Sequence, residues 1–193
     1  MTKSNLFRVL MLATLCVACG TDPVPKPKAF LRLDYPKADY TEVDVSLPFT
    51  FEKNKLASKI RHIKVDPKNH IYGVDLDYPT LKGTIYLTYA DIENDNLIAL
   101  IKDAQNLTQE HTQKADGIEG DLYENAAHKV YGMFYEIDGN AASQAQFYVT
   151  DSIHHFLNGS LYFYAKPNYD SIYPASEYLK KDIKHIMETL KWK

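Results

Sequence analysis

The strongest constraint on the fold is a change in apolar spacing along the chain. Ile71 to Asp77 (IYGVDLD) alternates, with Tyr72, Val74 and Leu76 on one side. After Pro79-Thr80-Leu81-Lys82, Gly83 to Tyr89 alternates again through Ile85, Leu87 and Tyr89. Two such runs about a short proline-containing connection predict a β-hairpin. From Asp95 to about Thr112 the period becomes helical, and Leu97, Leu100, Ile101, Ala104 and Leu107 share one face. Asp95 is the expected N-cap, because its carboxylate can accept a bond from an orphan amide. Alternation returns in Lys129 to Asp138, Gln144 to Thr150 and Ser160 to Ala165, with turns expected at Asp138-Gly139-Asn140 and Asn158-Gly159. Pro174 to about Leu190 is a second amphipathic helix, with Leu179, Ile183, Ile186, Met187 and Leu190 as its buried stripe and Pro174 at its first position. Hairpin-length links call for a largely antiparallel sheet. Large side chains on both faces of several strands call for cover on both sides, so the expected class is α+β, one sheet covered by two helices.

The flanking segments read less sharply. Phe49 to Lys53 and Arg61 to Val65 are short expected strands, and Ala29 to Pro48 an extended arm over the domain. Lys114 to Glu119 reads as a solvated helix exit or loop. Of 193 residues, 45% are apolar and 24% charged, which excludes wholesale disorder and fits one domain, placed at 29–193. A net charge of −3 argues against nucleic acid as a partner.

The N-terminus sets the location. Lys3 and Arg8 precede an apolar run from Val9 to Ala18 that is too short to span a bilayer and has the layout of a secretory signal. The two cysteines, Cys16 and Cys19, both lie here. Residues 1–18 are read as a signal peptide. The domain is left without a disulfide, so its core alone must hold it. Residues 19–28 contain GTDPVPKPK, whose three prolines favour extended polyproline II, a spacer of about 3.1 Å per residue.

No sequence pattern for catalysis or cofactor binding appears: there is no G-x-S-x-G, P-loop, H-E-x-x-H or G-x-G-x-x-G. The expectation is a non-enzymatic protein with no catalytic residue, metal or cofactor. The alternative is a periplasmic metal- or small-ligand-binding protein, or an enzyme, using Asp151-Ser152-Ile153-His154-His155. A carboxylate, a hydroxyl and two imidazoles lie there within five residues. The bland reading of that stretch is a polar link, because adjacent histidines on a strand point apart. His62, His70, His111, His128 and His185 are scattered. The 15 tyrosines read first as packing and second as a binding face, for a protein or a glycan.

Two resemblances add to this. Ala18-Cys19-Gly20 resembles the lipobox of bacterial lipoproteins, with Cys16 where leucine is usual, and that resemblance implies a cut before Cys19 and an acyl anchor on it. The segments KGTIYLTY from Lys82, EHTQKADGIE from Glu110, KVYGMFYEIDGNAASQAQFYVTDSIHHFLNGSLYF from Lys129 and DIKHIMETLKWK from Asp182 resemble the gliding-motility lipoprotein GldD family of Bacteroidetes. That resemblance implies a cell-envelope component required for gliding and the associated type IX secretion. Its expected partners are the membrane, through Cys19, and proteins of that machinery. The absence of an acidic cluster after Cys19 favours a periplasm-facing position. The element order also resembles the Mog1/PsbP-like α/β/α sandwich, a likeness of fold that says little about activity.

Overall fold

The computed structural model describes residues 33–66, 70–164 and 168–193. The expected signal peptide, Cys16, Cys19 and the tether at 19–28 lie outside the described residues. The strands are β1 (Tyr40–Leu47), β2 (Phe49–Asn54), β3 (Lys59–Asp66), β4 (Ile71–Tyr78) and β5 (Gly83–Asp91), then β6 (Ala115–Asn125), β7 (Val130–Gly139), β8 (Ser143–Thr150), β9 (His155–Phe163) and β10 (Lys191–Trp192). Helix α1 (Leu97–Gln109) follows β5, and α2 (Tyr169–Thr189) follows β9. The main sheet runs β3-β4-β5-β9-β8-β7-β6 with every neighbouring pair antiparallel. A small sheet, β1-β2-β10, is also antiparallel.

Strand alternation sorts the side chains between two covers. Ile85, Leu87 and Tyr89 of β5 share a face with Ala145, Phe147 and Val149 of β8 and Leu157 and Leu161 of β9. That face packs against Leu179, Ile183, Ile186 and Met187 of α2, and against Phe49 and Phe51 of β2. It is the main core, and burying each large apolar side chain there contributes about 1.5–3 kcal/mol. The opposite face carries Thr88 and Ala90 of β5 and Gln146 of β8, under α1. Thr108 Oγ of α1 donates to Gln146 Oε1 at 2.7 Å. The expected α+β class, one largely antiparallel sheet between two helices, is what forms.

Five local readings need correction. The arm at Ala29 to Pro48 holds strand β1, paired with β2 through Tyr40↔Asn54 and Val43↔Phe51. Lys114 to Glu119 is not a loop, because Ala115–Asn125 is the edge strand β6. No alternation announces it, since both its faces are largely exposed. Asn158-Gly159 is not a turn but lies inside β9, where Gly159 pairs with Leu87 on one side and Phe147 on the other. An added Cβ there would meet Phe147 Cε1 at 2.2 Å, so this glycine makes room for a ring. Asp95 does not cap α1. It has φ +59°, and Asn96 takes the cap position. Asn96 gives no cap bond; its Oδ1 instead accepts from Glu93 N at 3.0 Å, bracing the loop. Helix α2 starts at Tyr169, so Pro174 lies in its interior. The carbonyl that Pro174 leaves without an amide partner is that of Asp170, an exposed first-turn residue that water can serve.

Candidate functional site

The antiparallel topology gathers the start of β4, the end of β5, the β8–β9 turn, the start of β7 and the C-terminus at one end of the molecule. His70, His128, His154 and His155 all come to this pole. It is stitched together by Ile92 N donating to His154 O (2.9 Å), Trp192 Nε1 donating to Lys129 O (3.1 Å) and Lys193 N donating to Pro48 O (2.9 Å).

Two polar constellations meet there. In the first, His70 Nδ1 stands 3.3 Å from Asp91 Oδ2 and 3.1 Å from Glu93 Oε1. The other Asp91 oxygen, Oδ1, accepts from the Tyr89 hydroxyl at 2.5 Å. The same hydroxyl lies 2.8 Å from His155 Nδ1. Tyr89 is fully buried, and burial, then its bond to Asp91, pushes its pKa far up, so it stays a donor. His155 then gives its Nδ1 proton to the tyrosine oxygen. Burial lowers the His155 pKa, which favours this neutral form. Its ring stacks on Trp192 with centroids 5.1 Å apart.

The second constellation is the Asp151 to His155 stretch, which builds the turn between β8 and β9. Asp151 Oδ1 accepts three backbone amides, from Ile153 (3.0 Å), His154 (2.8 Å) and His155 (2.8 Å). Burial alone would raise the Asp151 pKa, but these bonds together outweigh it and the net shift is downward. The carboxylate is thus committed to closing the β8–β9 turn. His154 is exposed, and its Nδ1 lies 3.7 Å from Asp151 Oδ2. The residues of this stretch do not converge on a common point. They form one wall of an open cleft of about 370 Å³ whose other walls include His128, Lys129, Lys191 and Trp192.

A larger hollow, about 470 Å³, lies under α1 between Leu100, Ala104 and Leu107 and the sheet residues Ile71, Thr88, Ala90 and Phe156. The apolar stripe of α1 is accordingly only half-buried, although its spacing was legible. The tyrosines divide as composition could not foretell. Tyr78 and Tyr89 are core residues, whereas Tyr164 is 58% exposed.

His70, Asp91 and Glu93 were not singled out from the sequence. Nothing local links positions 21 and 23 residues apart. The signal that finds them is hairpin register: Ile71 pairs with Ala90 and Tyr78 with Gly83, so counting one step outward sets His70 across from Asp91.

No helix among the described residues is long and apolar enough to cross a membrane. The fold defines an α+β sandwich protein. Residues 20–192 match the family described as gliding motility lipoprotein GldD, and the chain belongs to that family of gliding motility lipoproteins. No curated protein and no solved structure gives a match.

Proposed function

We propose that this chain is a lipid-anchored component of the cell envelope that serves gliding motility and the associated type IX secretion through protein contacts. In this reading the signal peptide 1–18 is removed, Cys19 carries the acyl chains, residues 19–28 form the tether and 29–193 the working domain, facing the periplasm. The observation that carries the proposal is the family match over 20–192, which begins one residue after Cys19. Several acyl chains on one sulfur would hold the domain stably, at about 0.8 kcal/mol per buried methylene. The layering of α1, sheet and α2 supports the Mog1/PsbP-like likeness. The pole bearing His128, Lys129, His154, Lys191 and Trp192 offers an aromatic and basic cleft suited to a protein surface.

Crosslinking in native membranes, with mass spectrometry of the mature N-terminus, tests this. The expected result is an acylated Cys19 and recovery of gliding or secretion proteins. An unmodified Cys19, or normal secretion and motility in a deletion strain with no such partner recovered, refutes it.

A further inference from the structure

We propose that His70, Asp91 and Glu93 form a three-ligand site for a divalent transition metal of the zinc class, at the open end of the β4–β5 hairpin. One imidazole nitrogen and two carboxylate oxygens lie within 4.8 Å of one another. His70 Nδ1 is 3.3 and 3.1 Å from the two oxygens. Bonds of about 2.0–2.1 Å arranged tetrahedrally about zinc set neighbouring donors roughly 3.3 Å apart. The two edges from His70 are thus already near that spacing, and the Asp91–Glu93 edge lies within 4.8 Å.

Three further features point to a cation. Asp91 cannot swing away, because Tyr89, itself fully buried, holds Oδ1 and leaves Oδ2 facing His70. This is the outer-sphere support that metal-ligating carboxylates characteristically receive. Neither Asp91 nor Glu93 has a lysine or arginine ion-pair partner among the described residues, and His70 supplies at most one positive charge against two carboxylates. The ligands also come from three separate places, the segment before β4, the end of β5 and the loop leading to α1. The imidazole selects zinc-like ions over calcium or magnesium, which prefer all-oxygen shells. Three protein donors leave a fourth position for water or for a group on a partner.

The test is calorimetric titration of Zn²⁺ into the full chain, stripped with a chelator and held in detergent. One equivalent is expected. His70→Ala and Glu93→Gln, both at half-exposed positions that leave the core intact, should each weaken binding by at least about 10-fold. Tyr89→Phe acts through positioning of Asp91 and should weaken it about 10–100-fold while keeping the stoichiometry. Thermal melts of each variant without metal report whether folding is intact. His128→Ala and His154→Ala should leave the isotherm unchanged. Absence of zinc binding overturns the proposal. So does binding that survives both His70→Ala and Glu93→Gln, or that is lost with His154→Ala. The site does not depend on the docking role above, and its failure would leave that role standing.

Discussion

Replacing Gly159 with alanine tests the account of β9 most directly. In the structure Gly159 sits in mid-strand without a positive φ, opposite Phe147 and Leu87. A Cβ built there lies 2.2 Å from Phe147 Cε1, 2.7 Å from its Cζ and 3.0 Å from Leu87 Cδ2. Reaching ordinary carbon–carbon contact at about 3.6 Å requires the ring edge to retreat by roughly 1.4 Å. Phe147 is 2% exposed and Leu87 1%, so the ring has no free space to enter. Overpacking of this kind costs about 1–3 kcal/mol, and two crowded neighbours place this case in the upper half. A turn glycine would also resist substitution, by about 1–2 kcal/mol for a left-handed backbone. Size alone therefore does not separate the two accounts, but coupling does. Phe147→Leu removes the obstructing atoms and alone costs on the order of 1–2 kcal/mol. Urea denaturation of the chain from Gly20 onward, followed through the single Trp192, gives all four corners of the cycle. In the strand account the double variant is more stable than the sum of the single losses predicts, by about 1–2 kcal/mol. Additivity within about 0.5 kcal/mol would refute it.

Trp192 also reports on His155, whose pKa burial holds below its ordinary value. Emission should stay constant down to about pH 6.5 and change only below it, when the imidazolium forms against the indole, and His155→Gln should abolish the change. Because the folded pKa is the lower one, the stability contributed by neutral His155 is complete above about pH 6.5 and is lost as pH falls through the folded value. Asp182 behaves in the opposite sense. Burial raises its pKa against the bonds from Tyr40 and Asn54. Its contribution is therefore complete below about pH 3.9 and is lost as pH rises through the folded value, so Asp182→Asn should raise the melting temperature at pH 7 and leave it unchanged at pH 3. A lower melting temperature at pH 7 would contradict that. Asp151→Ala removes an acceptor shared by three amides and should speed hydrogen exchange at Ile153, His154 and His155, with a stability loss of about 1–3 kcal/mol; unchanged exchange would show that the turn does not need its carboxylate.

What was legible in the sequence followed from burial on one side. Strands β4, β5, β7 and β8 and the stripe Leu179, Ile183, Ile186 and Met187 of α2 each face a core, and facing a core writes a period into the residues. Strand β6 faces no continuous core, and Ala115–Asn125 shows no alternation because its side chains mostly meet water. Its Asp116, Glu119, Asp121 and Glu124 instead suit an unpaired sheet edge, where charge discourages pairing with another chain. Gly159 and Pro174 misled for a shared reason. Each residue type punctuates local structure by default, but tertiary context here sets the outcome: a ring fills the space above Gly159, and solvent serves the carbonyl that Pro174 leaves unpaired. The histidines were legible one by one and not as a group, since the contacts that gather them cross from β4 to β5, from β5 to β9 and from β9 to β10.

The position of that group relative to the N-terminal segment bears on the proposed role. The chain arrives beside the middle of α2, where Tyr35 packs on Tyr178 at 5.2 Å and the Tyr40 hydroxyl donates to Asp182 at 2.8 Å. Strand β1 then runs toward the histidine pole and ends at Leu47, next to Pro48 and Lys193. Eight residues of strand put that pole roughly 23 Å from Tyr40. The cleft of His128, His154 and Trp192 and the triad of His70, Asp91 and Glu93 therefore lie at the end of the domain to which β1 runs, and not beside Tyr40. If that cleft docks a partner, as proposed, reversing the charge of exposed Lys191 should weaken crosslinking to it without releasing the protein from the membrane.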